Sequence, residues 1–144
     1  MANEDTIKLL KECNAGIKMG VNSIDEVLDK VSDEKLRNIL IESKEEHQAL
    51  GSETHKLLNQ FHDEGKDPNL MAAGMSWLKT NVMLAMEKTD KTVADLITDG
   101  CDMGIKSLNR YINQYAAASA EAKKIAKRLI DIEERLSDEI KGYL

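Results

Sequence analysis

The sequence predicts an all-α protein: four long antiparallel helices in one bundle, made from a helical hairpin used twice, with a short extra crossover helix between the copies. Three observations carry this. Cys13-Asn14-Ala15-Gly16-Ile17-Lys18 returns 88 residues later as Cys101-Asp102-Met103-Gly104-Ile105-Lys106, identical at four of six positions, and the match continues with Ile24 against Ile112. Behind each copy Leu40-Ile41-Glu42 with Glu45 aligns with Leu129-Ile130-Asp131 with Glu134, at an offset of 89. Self-similarity of this kind marks a repeated supersecondary unit. Apolar residues also recur three and four apart along four long segments, the period of an amphipathic helix. Finally, 42% of residues are hydrophobic and 32% charged, with one Pro, one Phe and one Trp, whereas strands want β-branched and aromatic residues.

At 144 residues the chain is long enough for one substantial core and needs no second domain. Residues 1–144 therefore read as a single bundle, with a hairpin over 5–64, a crossover helix over 68–88 and a second hairpin over 90–142.

The first helix is expected to start on Asn3 or Asp5 as its cap and to run to about Val31 on the stripe Ile7, Leu10, Ile17, Val21, Ile24 and Leu28. Gly16 and Gly20 lie inside it. Each costs about 1 kcal/mol of helix propensity relative to Ala, which close approach of a neighbouring helix would offset, and Gly104 makes the same provision in the second copy. The turn Ser32-Asp33-Glu34-Lys35 supplies a fresh cap. The second helix then keeps a heptad through Leu36, Leu40, Ser43, His47, Leu50, Thr54, Leu57 and Phe61. It ends at Asp63-Glu64-Gly65-Lys66-Asp67-Pro68, where Gly suits a C-cap and Pro opens the next helix. The crossover helix carries Met71, Met75, Trp77, Leu78, Met83 and Met86 and is apolar on more than one side, as a segment packed along the outside of a bundle would be. Thr89 or Asp90 caps the third long helix, which runs to about Tyr115. After a short connection at 116–120 the last helix runs from Glu121 to Lys141 on Ile125, Leu129, Ile132 and Leu136. In this phase Leu40, Leu50, Leu57, Ile105 and Leu129 all point inward and should be buried.

A net charge of -6 and a pI near 5.1 argue against nucleic acid or anionic membrane surfaces as partners, because both reward a basic surface. No apolar stretch approaches the roughly 18 residues that a membrane helix requires, and the N-terminus lacks the basic flank and apolar run of a signal peptide. The chain reads as cytoplasmic. In a reducing compartment its two cysteines are expected to be small buried hydrophobes.

Two hairpins joined by a connection of about 25 residues are the organisation of a ferritin-like bundle. Trp77-Leu78-Lys79 followed by Ala94-Asp95-Leu96-Ile97-Thr98-Asp99-Gly100-Cys101-Asp102 is similar to an uncharacterised bacterial ferritin-like family that has an acidic, Gly-containing stretch at the start of its third long helix. The resemblance implies the fold and brings no settled activity with it. In that arrangement the two cysteine-bearing helices run in opposite directions. Cys13 and Cys101 should then lie on either side of the bundle centre, with Cα atoms on the order of 15 Å apart, beyond the reach of about 7 Å that a disulfide allows.

Ferritin-like diiron proteins hold their metals with a Glu from each of two helices and a Glu-x-x-His from each of the other two. Here the residues three before His47, His55 and His62 are Lys44, Ser52 and Asn59, and Ser43 and His47 align with Ile132 and Leu136 in the repeat. The carboxylates Glu42, Glu45, Glu46, Asp99, Asp102, Asp131 and Glu134 fall mostly on the flanks, where a solvated, salt-bridged surface is the expected role. A degenerate iron or other divalent-metal site would draw on His47, Glu46 and Asp102. His47 alone is phased toward the core, where it is expected to be neutral and hydrogen-bonded to Ser43 or Asn14. His55 and His62 read as surface residues. A nucleophilic cysteine needs a nearby base or cation, and Lys18 and Lys106, five residues on, point away. The readings in order are a non-enzymatic bundle without a cofactor acting through a protein partner or self-association, a degenerate metal-binding bundle, and a thiol redox protein using Cys13 and Cys101.

Overall fold

Every helix described here starts on a polar side chain that takes up a backbone N–H left free by the first turn. The computed structural model describes residues 3–61 and 89–144. Among them are helices α1 (Glu4–Leu28), α2 (Glu34–Gln60), α3 (Asp90–Gln114) and α4 (Ala120–Ile140), followed by a single 3-10 turn at Lys141–Tyr143. The caps are Asn3, Asp33, Thr89 and Ser119, each accepting from the N–H two or three residues on, and a cap of this kind contributes about 1 kcal/mol. The crossover helix expected over 68–88, the Gly65 to Pro68 break, Trp77-Leu78-Lys79 and His62 lie outside the described residues.

α1 stops at Leu28, three residues before the expected Val31, and Val31 is buried in the turn that follows. The inward phase holds for Leu40, Leu50 and Leu129, each 0% exposed. It fails at Leu57 and Ile105, which are only partly buried. In α2 the cause is arithmetic. A straight helix drifts about 20° per heptad, so three heptads after Leu36 the inward direction has moved closer to Leu58, which is fully buried.

The core divides into two clusters. Leu10, Cys13, Ile17, Leu50, Leu108 and Leu129 belong to one, and Ile24, Leu40, Ile97, Cys101, Leu136 and Ile140 to the other. Between them each helix contributes a residue that is not an apolar side chain: Gly20 from α1, His47 with Ser43 from α2, Gly104 from α3 and Glu133 from α4. A full burial of each Leu or Ile above and below stabilises the fold by roughly 1.5–3 kcal/mol. The layer between has no such term.

The hairpins are tied at their ends. The Asp90 carboxylate, in the first turn of α3, accepts from Ser32 N at 2.8 Å and Asp33 N at 3.1 Å in the α1–α2 turn. At the start of α1, Asn3 Nδ2 donates to Ala117 O at 2.6 Å, Asp5 accepts from Ala117 N at 3.1 Å and Thr6 Oγ1 from Ser119 N at 2.8 Å, all in the α3–α4 turn. On the outside, Arg128 pairs with Glu53 and Arg135 with Glu46, each at 2.6 Å between α4 and α2. Exposed pairs of this type are worth little in stability.

Candidate functional site

The polar layer at the waist of the bundle begins with an uninterrupted heptad. Ala122, Ala126, Leu129, Glu133, Leu136 and Ile140, alternately four and three apart, are all buried on α4, so the helix period carries a carboxyl into the core. Glu133 is 7% exposed. Its Oε2 is the one buried side-chain nitrogen or oxygen among the described residues with no hydrogen-bond partner. Burial alone pushes its pKa up to about 8, because a carboxylate loses its hydration there and gains nothing in return. Glu133 therefore stays protonated at neutral pH.

Gly104 on α3 makes room for it. A Cβ at that position would land on the Glu133 carboxyl group. Gly20 does the same for His47, since a Cβ there would lie 2.7 Å from the ring's Nε2 and Cδ2. The glycines thus admit two polar side chains, where the sequence suggested close approach of helices, and Gly16 would meet only Leu129 at an ordinary 3.5 Å.

His47 is 1% exposed. Its Nδ1 donates to the Ser43 backbone carbonyl at 2.7 Å, with the Ser43 hydroxyl at 3.5 Å. The expected neighbour is correct, but the stronger acceptor is the main chain. Burial lowers the pKa of the ring, with the Ser43 carbonyl and Glu46 pulling weakly the other way, so the imidazole is neutral and its Nε2 carries a free lone pair.

Both side chains line one cavity of about 70 Å³ between α1 and α3, walled by Ile24, Val27, Ile97 and Leu136. A second cavity of about 110 Å³ adjoins it and also reaches Gly16, Met19, Gly104 and Glu133. The space has a visible origin in the sequence. Gly16, Gly20 and Ser23 on α1, and Gly100, Gly104 and Ser107 on α3, share one spacing of four and three and line these two cavities with little or no side chain.

The three residues suggested as metal ligands are dispersed. His47 is in the core, Glu46 lies between α2 and α4 with its carboxylate on Arg135, and Asp102 is exposed. Among the described residues no group of three or more His, Cys, Asp or Glu side chains is placed to hold a metal ion. Glu42, Glu45, Asp99, Asp131 and Glu134 are exposed, as is His55.

At the offset of 89, Lys44-x-x-His47 aligns with Glu133-x-x-Leu136, so one segment has the His and the other the Glu of a Glu-x-x-His spacing. On the other two helices, α1 and α3, the residues facing this His and Glu are Gly20 and Gly104. One carboxyl and one imidazole do not fit a dinuclear iron centre, which takes four carboxylates and two imidazoles. Glu133 is the residue that sequence reasoning missed. The strict alternation from Ala122 to Ile140 was the available signal, and it was obscured by counting Ile132 as the inward position.

Cys13 and Cys101 are free, buried and in different clusters. Burial pushes the Cys13 thiol up to about 12 and raises Cys101 as well, so neither is a thiolate at neutral pH. No protein family model, no curated protein and no solved structure matches this chain.

Proposed function

We propose that this chain is a ferritin-like bundle in which the layer that would carry two metals has become a binding cavity, and that it works by non-covalent association, not by catalysis. One observation carries the reading: the waist holds the His of one Glu-x-x-His spacing and the Glu of the other, with glycines facing both. The ferritin-like path of the chain is supported by the end ties. Contact between the start of α1 and the α3–α4 turn, and between the start of α3 and the α1–α2 turn, fits α1 and α3 running in opposite directions. Glu53 with Arg128 and Glu46 with Arg135 fit an antiparallel α2 and α4. Association with a protein partner or a second copy is compatible with exposed Met103 and Ile41, and thiols that remain protonated do not favour redox exchange.

The test is elemental analysis of protein purified from iron-supplemented cells. The expected result is well below about 0.1 iron per chain. About two irons per chain, with oxidation of added ferrous iron, would overturn the reading.

A further inference from the structure

Among the described residues, the polar groups on the waist cavity offer more lone pairs than protons. Oε2 of Glu133 has no partner, although buried polar atoms in folded proteins nearly always have one. Among the described residues no basic side chain is placed to act on this carboxyl, and burial is what raises it. His47 has committed its Nδ1 proton to the Ser43 carbonyl, and its Nε2 edge lies over Gly20 on the same cavity. Ser23, also on the wall, has committed its hydroxyl proton to Met19 O at 2.7 Å. What remains among the described residues is the Glu133 carboxyl with the one proton it keeps, the lone pair of His47 Nε2 and the weak donor of the Cys101 thiol, in an apolar surround, so lone pairs outnumber the protons available to them.

We propose that this cavity binds a small primary amine with a short alkyl tail, its ammonium group held between the Glu133 carboxylate and His47 Nε2. An ammonium is three donors on one atom and no acceptor, and a hydrogen bond in which both partners are charged is the strong kind. No net charge has to cross the apolar wall. The amine enters neutral and its nitrogen lone pair takes the proton of the Glu133 carboxyl group, so that the O–H bond breaks as the N–H bond forms and both charges appear together. Size sets the tail. An apolar cavity of about 150 Å³ holds benzene, so one of about 70 Å³ suits a chain of a few carbons, with the adjoining space around Met19 taking its end. Met19 is polarizable and adaptable, which suits it to packing against such a tail.

This deepens the cavity reading above but fails separately from it: iron uptake would sink that reading, whereas an amine that does not bind sinks only this one. The experiment uses the full chain with ¹³C-methyl methionine, titrated with n-butylamine, n-butanol and butyrate and followed by methyl NMR. Saturable shifts at Met19 are expected, with the amine at least about tenfold tighter than the alcohol and no binding of the carboxylate. Glu133→Gln keeps the shape and removes the charge, and should bring amine affinity down to that of the alcohol while leaving alcohol affinity within about twofold. Gly104→Ala, which displaces the carboxyl group, should weaken the amine in the same way. Equal affinity for amine and alcohol, or an amine preference that survives both substitutions, would overturn the proposal.

Discussion

Replacing Glu133 with glutamine should change the pH dependence of stability by several kcal/mol between pH 5 and pH 8. In the unfolded chain a glutamate releases its proton near 4.5, whereas in the folded protein burial holds Glu133 protonated up to about 8. Between those values the folded state binds the extra proton, so its stability falls as pH rises, by about 1.4 kcal/mol per unit. Across the whole window the loss is on the order of 5 kcal/mol, an upper figure because water entering the cavity would reduce it. The glutamine side chain keeps the volume and has no proton to lose. Urea denaturation at pH 5, 6, 7 and 8 should therefore give variant and wild type similar stabilities at pH 5 and a variant more stable by several kcal/mol at pH 8. Taking the difference between the two proteins cancels His47, whose depressed pKa works in the opposite sense and costs stability as pH falls below about 6.5. Parallel curves for the two proteins, or a wild type that gains on the variant as pH rises, would refute the burial argument.

Three further outcomes follow from the same geometry. Gly104→Ala should destabilise the protein, although the same change in an unobstructed helix gains about 1 kcal/mol, and in a Glu133→Ala background it should become favourable; the coupling read from this double-mutant cycle vanishes if the carboxyl does not sit over Gly104. Leu50→Ala should cost about 2–5 kcal/mol by thermal or urea unfolding, because a side chain with 0% exposure leaves a cavity, and a loss below about 0.5 kcal/mol would mean that α2 is rotated from its described phase. Cys13 and Cys101 should react with an aromatic disulfide reagent far more slowly in the folded protein than in urea, given thiols raised by burial, and fast native reaction at either one would contradict its placement in the core.

Helix positions, caps and most of the core were legible in the sequence because they depend on local patterns. Asn3, Asp33 and Thr89 stand in turns where capping side chains are visible, whereas Ser119 was read as part of a connection, and Leu40, Leu50 and Leu129 sit in runs where the apolar period leaves no choice. The site was half legible. His47 interrupts a leucine heptad and is conspicuous, but Glu133 stands in Asp131-Ile132-Glu133-Glu134-Arg135, where four of five residues are polar and any of three carboxylates looks equally solvated. Only the fixed phase from Ala122 to Ile140 separates it from Asp131 and Glu134, and a rotation of one residue reverses the assignment. The glycines were visible too, as a cost in helix propensity. What they accommodate was not, since a facing side chain on another helix leaves no trace in the local sequence.

The ties at the two ends of α1 have a dynamic consequence. At 1.5 Å per residue the 25 residues of α1 separate them by about 37 Å, and each uses side chains of one hairpin to hold backbone N–H groups of the other. Sliding or hinging one hairpin against the other would break both at once, so both ends of α1, where a helix usually frays first, are pinned. The weakest section is the middle, where the glycines and the unpartnered carboxyl replace apolar packing. The expected motion of such a body is bowing, in which α1 and α3 part at mid-length while their ends stay fixed. Amide hydrogen exchange should accordingly be faster at Gly104 than at Ala117 and Ser119 in the turn, and the reverse order would mean that the molecule opens from its ends. Gly16, Gly20, Gly100 and Gly104 along the cavity are only half-buried, so access runs between α1 and α3 at mid-length and suits what is slender enough to pass between two helices.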